Sequence, residues 1–429
     1  MKTHHPLSRL AVALTLTFAC AAAQAQTATE QALMQRLDQL AAELGRVRAE
    51  LTQMQLQQQQ KQAAVPAPIV LEAPLPAQPD AQPKTVISGY AELNYNRPTK
   101  ATQNAQADVR RAVIGYQHRF DDKTKVVTEI EVEHAIASAS DRGEVAIEQA
   151  YVEHQINPTW AVRGGLFLMP VGLLNENHEP PSFLGVERNF VETAIIPSTW
   201  REGGLQLVGN FDNGLTVQGG ISTTFDLNKW DAASTEGRES PLASIHQELA
   251  LAKSRDLAVF GAVNWRGVPG LLLGASLFTG QATHKQAAVE SRITLWDVHA
   301  RWTPGRWDLS ALYTRGSISN TAALNSPLVG GVSLIPRSFD GAYVQAGYVA
   351  WESGNYRLTP FVRYERFNTA RSYADLGQGL TPEASPSERV STVGANFQLT
   401  PGVVVKADVQ RFGEAKDQNR LNLGLGWSF

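Results

Sequence analysis

From Val86 to Phe429, apolar residues alternate one for one with small or polar residues, in segment after segment. Period two belongs to a strand whose two faces meet different surroundings. The last segment shows it plainly: Leu421, Leu423, Leu425, Trp427 and Phe429 are apolar, and Asn422, Gly424, Gly426 and Ser428 are small or polar. Chain ends usually fray in soluble domains, yet these residues are patterned as a strand. Five strands open the series: VISGYAELNYN, VRRAVIGYQHRF, KVVTEIEVEHA, VAIEQAYVEHQI and WAVRGGLFLM. Eleven more read over 202–211, 214–227, 256–266, 269–284, 289–302, 305–319, 338–352, 355–370, 387–400, 402–413 and 417–429.

The connections alternate too. Every second one is tight: FDDKT, INPT, NFDNG, RGVPG, TPGR, ESGN, LTPG. This is Asp/Asn/Pro/Gly turn chemistry. The others are longer, notably 170–201 and 228–256. Sixteen strands with short turns on one rim and long loops on the other predict an all-β fold, a 16-stranded antiparallel transmembrane β-barrel. Trp160, Trp265, Trp302, Trp307, Trp351, Tyr356 and Trp427 flank the tight turns, where an aromatic girdle belongs. A soluble β-sandwich array is the competing fold; it needs apolar cores in both layers and does not explain the aromatic strand ends. In lipid an open edge leaves backbone groups unpaired, so the last strand is expected to pair with the first, with Trp427 and Phe429 at the lipid interface.

The first 85 residues have different physics. Residues 1–25 read as a secretory signal: Lys2 and Arg9, an apolar run from Leu10 to Ala23, and Ala23-Gln24-Ala25 before a cut ahead of Gln26. The single cysteine, Cys20, lies inside it; a lipid anchor there is the sharper alternative, but Thr17-Phe18-Ala19 is a poor lead-in. Over 26–62, Leu33, Leu37, Leu40, Leu44, Val47, Leu51 and Met54 recur at spacings of four and three. That is the seam of a short N-terminal α-helical coiled coil; an amphipathic helix packed on its own protein is the alternative. Residues 63–85 are Pro-rich and read as an extended linker to a barrel over 86–429.

Composition narrows the function. Net charge is −3, and no Lys/Arg cluster suggests nucleic acid as a partner. No His has Ser two residues on, the same-face spacing on a strand, so no hydrolytic pair is visible; an enzyme, a metal site and a cofactor are not expected. By alternation, Arg111, Arg119, Arg163, Arg301, Arg357, Arg363 and Lys406 face the lumen. The long loop at 170–201 would bring Arg188 and Arg201 beside them as a constriction, unless it is an external cap. Arginine's planar fork suits oxyanions. Glu129, Glu131 and Glu133 also face inward, so many of these cations are equally readable as braces paired within the wall.

The stretch from Arg163 to Gly209 carries Gly165-Leu166-Phe167, Met169-Pro170-Val171-Gly172, Glu187-Arg188, Ile196-Pro197-Ser198 and Trp200-Arg201-Glu202-Gly203-Gly204. With SGYAELNY and FVRYERF, it resembles the phosphate-selective porin O and P family. The resemblance implies a sixteen-stranded homotrimeric channel for small anionic solutes, phosphate or organic anions such as dicarboxylates. It further implies a Gram-negative outer membrane as the host bilayer, with a coiled coil in the periplasm. A C-terminal aromatic on an alternating strand also resembles the signal read by the barrel assembly machinery, with Phe429 as the residue read. The competing function is a structural anchor tethering the outer membrane to the cell wall through the coiled coil.

Overall fold

The computed structural model describes residues 84–429 apart from 139, 142 and 378, together with five helical positions, Arg36, Gln39, Ala42, Gly45 and Arg46. The signal, the coiled-coil seam and residues 63–83 of the Pro-rich linker lie outside the described residues, and Thr85, read as the linker's last residue, already belongs to the first strand.

The strands are β1 (Thr85–Pro98), β2 (Gln106–Arg119), β3 (Thr124–Glu133), β4 (Val145–Gln155), β5 (Trp160–Leu168), β6 (Arg201–Asn210), β7 (Leu215–Ser222), β8 (Ala258–Trp265) and β9 (Leu271–Gln281). They continue as β10 (Arg292–Trp302), β11 (Trp307–Ile318), β12 (Ser338–Tyr348), β13 (Trp351–Ser353), β14 (Tyr356–Ser372), β15 (Glu388–Thr400), β16 (Val403–Phe412) and β17 (Arg420–Ser428). β12 and β13 both pair with β14, and between them Ala350 N–H donates to Leu358 at 3.0 Å. They are one wall strand interrupted at 349–350, so the wall has sixteen strands, all antiparallel.

β17 closes the barrel on β1, from Tyr90↔Ser428 to Pro98↔Arg420. Phe429 and Gly89 exchange both backbone bonds, at 3.0 and 3.1 Å. The wall therefore has no open edge, the condition a strand bundle must meet in hydrocarbon. Alternation sorts the faces. Ile114, Ile130, Ile147, Leu205, Val263, Leu277, Val298, Val344, Val362, Val393 and Leu425 are exposed on the outside, while Arg111, Glu131, Asp297, Glu365, Lys406 and Asp408 are buried within. Such an apolar outer belt belongs in lipid. Trp302, Trp307, Tyr348, Trp351 and Tyr356 are exposed where the short turns are, forming one girdle.

Three departures from strict alternation matter. The register slips between β1 and β2, Glu92 facing Arg111 but Leu93 facing Val109. Arg110 is the extra residue of this bulge. The expected strands 214–227 and 269–284 stop early, at Ser222 and Gln281. The residues beyond them turn inward: Phe225 and Leu227 join Trp200, Leu242, Ile245, Phe278, Ile293, Ile335 and Phe339 in a buried apolar cluster inside one side of the barrel. An apolar run that continues a strand pattern cannot tell the lipid face from a loop folded into the interior.

If the outer belt is lipid-facing, Val344→Arg at mid-strand on β12 should destabilise the barrel by about 2–4 kcal/mol. Equilibrium urea unfolding in liposomes would measure it; a loss below about 0.5 kcal/mol would mean that Val344 does not sit in the bilayer core.

Candidate functional site

The third long loop, residues 169–200 (hereafter L3), is largely buried. It does not cap the barrel. Wall side chains hold its backbone from inside. Asp408 accepts from Val186 N–H at 2.7 Å, Glu365 from Phe190 N–H at 2.6 Å, Asn396 from Gly185 N–H at 3.2 Å and Asp297 from Gly172 N–H at 3.2 Å. Lys406 and Asn396 donate to the Phe183 carbonyl at 3.1 and 3.0 Å. Arg363 donates to Leu184 O at 3.1 Å, and Arg301 to Ser182 O at 3.3 Å. A loop brought indoors must satisfy its backbone groups there, and inward side chains of β10, β14, β15 and β16 do so.

The same seat explains the small residues on the inward face of β17. A Cβ added at Gly426 would lie 2.2 Å from Pro180 Cβ, and one at Gly424 would lie 3.0 Å from Val186. Close approach of the loop requires glycine there. Opposite, His178 Nε2 lies 3.2 Å from Glu148 of β4, and Asn94 and Asn96 donate to Glu187 at 3.2 and 2.8 Å. Burial alone would raise the Glu187 carboxyl, but the charge of Arg110 and these two amides outweigh it and hold it below the usual range. Glu192 closes L3 on itself, accepting from Leu173 and Leu174 N–H at 2.6 and 2.8 Å, from Asn189 at 2.8 Å and from Tyr343 OH at 2.9 Å.

Most of the expected cation ladder is paired. Arg111 contacts Glu131 at 2.9 Å, Glu133 at 3.4 Å and Glu92 at 3.5 Å. Arg163 meets Glu153 at 2.6 Å, Arg201 Glu248 at 3.0 Å, Arg301 Asp308 at 2.7 Å, Arg363 Glu365 at 2.8 Å and Arg357 Glu352 at 2.7 Å. Arg188 is 3.8 Å from Glu92 and donates to Ser198 at 2.6 Å. The bracing reading thus describes these arginines better than a free ladder. Lys406 is a correction: it is covered, its ammonium 3.5 Å from the Phe183 ring centroid and bonded to L3 rather than facing open lumen. Arg119 and Arg357 are exposed at the short-turn rim, away from L3. Of the inward acids, Glu129 takes the Gln149 amide, and Glu131 and Glu133 take Arg111.

Two chambers flank the loop. On the long-loop side a cavity of about 630 Å³ is lined by seven carboxylates (Glu92, Asp108, Glu131, Glu133, Glu144, Glu187, Glu248) and five arginines (Arg110, Arg111, Arg188, Arg201, Arg420). On the short-turn side a cavity of about 420 Å³ has Arg266, Arg301 and Arg363 in its lining and no carboxylate. Leu173, Leu174, Phe183 and Leu272 complete its apolar wall. Sequence reasoning missed Arg110, because the bulge reverses alternation there, and Arg266, because it opens RGVPG and was counted with that tight turn. The signal for Arg266 was present: it continues the inward parity of Phe260, Ala262 and Asn264.

No protein-family model matches the chain. A protein of Aquifex aeolicus (strain VF5), described only as uncharacterized, is 28% identical over 356 residues, covering 80% of this chain and 79% of its own. Among solved structures, OmpF of Salmonella typhi in complex with daunomycin superposes with a TM-score of 0.56 at 13% identity, over 80% of this chain and 97% of that one. The outer membrane channel DcaP of Acinetobacter baumannii gives 0.52 at 15% identity over 80% and 97%. A loop-deletion variant of OmpT, an outer membrane protein of Vibrio cholerae, gives 0.50 at 10% identity over 80% and 99%. At these identities the likeness is one of fold, the closed barrel of outer-membrane porins.

Asp408→Ala should leave the Val186 N–H without its acceptor, at a cost of about 1–3 kcal/mol for a buried donor. Limited proteolysis checks it: cleavage within 182–190 should speed up while the wall stays intact. Unchanged cleavage would show that L3 is held elsewhere.

Proposed function

We propose that the protein is an outer-membrane porin, a passive channel for small anionic solutes, phosphate or organic anions. The observation that carries the anion preference is the short-turn-side chamber, where Arg266, Arg301 and Arg363 line the path and no carboxylate does. Arg301 spends three donors on Asp308 and Ser182 and keeps others; Arg266 makes no ion pair among the described residues. Several weak guanidinium contacts attract an oxyanion yet let it leave. The long-loop chamber is mixed in sign, so it admits solutes rather than selecting them.

The rest of the reading follows the resemblance: membership of the phosphate-selective porin O and P family, a homotrimer, insertion by the barrel assembly machinery through Phe429, and a periplasmic coiled coil over 26–62 behind a signal and a Pro-rich linker. β1 begins and β17 ends at the short-turn rim, which supports a periplasmic position for that rim.

Planar-bilayer recording of the purified protein across a potassium chloride gradient tests the channel. The expected reversal potential lies on the chloride side. Arg266→Gln with Arg301→Gln should move it toward potassium, whereas Lys406→Met, under the loop, should leave selectivity unchanged. Cation preference in the unaltered protein would overturn the anion reading, and absence of conductance would overturn the channel itself.

A further inference from the structure

Outside the barrel, at the long-loop end of β10, β11 and β12, the structure holds a cleft that shares no lining residue with either chamber beside L3. Arg292, Arg315 and Arg337 line it, with one carboxylate, Asp375. All three arginines are exposed. Arg292 and Arg315 point outward by parity, since Ile293, Leu295, Leu312, Thr314 and Ile318 are the buried, inward residues of the same strands. The three belong to neighbouring strands: Trp296 pairs with Arg315, Ser317 with Ser338, and Ile318 N–H donates to Arg337 O at 3.0 Å. None makes an ion pair among the described residues. Asp340, across from Arg315, is already taken by Arg371 at 3.3 Å. A net excess of positive charge therefore stands on a face whose lower part is apolar.

A second observation lies in the cleft itself. Thr321 lines it, is 1% exposed, and its hydroxyl oxygen has no hydrogen-bond partner among the described residues. A buried hydroxyl without a partner marks a place where one is missing.

Height along the wall says what that partner is. β10 runs eleven residues from Trp302, in the aromatic girdle, to Arg292. Ten rises of about 3.4 Å make about 34 Å along the strand, or about 26 Å along the barrel axis at a tilt of about 40°. That matches the apolar belt of such barrels, about 25 Å tall. The outward sequence agrees: Trp302, Ala300, Val298, Trp296, then Thr294 and Arg292; and on β11 Trp307, Leu309, Ala311, Tyr313, then Arg315 and Ser317. Arg292 stands where hydrocarbon ends, and Arg315, eight rises from Trp307, stands about 21 Å up, near enough for its long side chain to snorkel to the same level.

The geometry points to a binding site for a phosphate-bearing lipid headgroup of the leaflet on the long-loop side. Guanidinium forks take the phosphate oxygens, the Thr321 hydroxyl supplies a further bond, and the acyl chains run down the groove beside Trp296, Val298 and Val344. A free oxyanion would gain nothing from that apolar wall.

The test uses the full-length protein in nonionic detergent and phosphatidic acid, whose phosphomonoester is the probe. Native mass spectrometry counts retained lipid. Phosphatidic acid should be retained, and phosphatidylcholine much less. Arg292→Gln, Arg315→Gln and Arg337→Gln combined should weaken retention at least about tenfold, since each arginine near a lipid surface adds to attraction. Arg306→Gln, on the short-turn rim, should not. All these residues are exposed, so the variants are expected to fold, and unchanged single-channel conductance of the triple variant would verify it and separate this site from the pore. Retention unaffected by the triple substitution, or equal competition from millimolar inorganic phosphate, would overturn the proposal.

Discussion

Everything in this molecule rests on the requirement that no backbone donor or acceptor meets hydrocarbon unpaired. The nine-residue register from Tyr90↔Ser428 to Pro98↔Arg420 meets it for the last strand. Once the cylinder is closed, side chains have only two destinations. The same rule governs the interior, where L3 carries backbone groups that water reaches poorly. Asp297, Glu365, Asn396 and Asp408 are therefore wall residues with a structural role, standing in for the strand that the loop does not have.

Alternation has an electrostatic consequence. A residue that points inward has cross-strand neighbours that point inward as well. Arg111 therefore lies beside Glu92 and Glu133, its register partners on either side, and Arg163 beside Glu153. A barrel wall written with both signs on its inner face neutralises itself wherever the register is regular. Paired charges of this kind fix side-chain positions more than they add stability, and they hold the loop seat rigid.

This also explains what was readable in the sequence. Strand number, faces, the short and long rims and the girdle follow from period two and turn chemistry, both local. The inward parity of Arg163, Arg301, Arg363 and Lys406 was readable for the same reason. Their partners were not: Lys406 under Phe183 and Arg363 on Leu184 depend on where a loop more than two hundred residues upstream of Lys406 comes to rest. Gly424 and Gly426 were visible as small residues, but nothing in β17 says that Pro180 and Val186 lie against them. The fold of 223–257 was hidden differently, because Phe225 and Leu227 continue an alternation that the backbone has already left.

Charge left over for function should then collect where register ends or slips. Arg110 is a bulge residue, Arg266 stands one step beyond β8, Arg292 opens β10 and Arg337 immediately precedes β12. None of the four makes an ion pair among the described residues, whereas the inward-facing arginines Arg111, Arg163 and Arg363 all do. Arg110, Arg266, Arg292 and Arg337 thereby keep donors for a solute or a headgroup, whereas Arg201, which opens β6, is taken by Glu248. In this barrel, the places to look for recognition are the rims, the bulges and the outward arginines near the long-loop end, and the inner face at mid-strand is where the protein recognises itself.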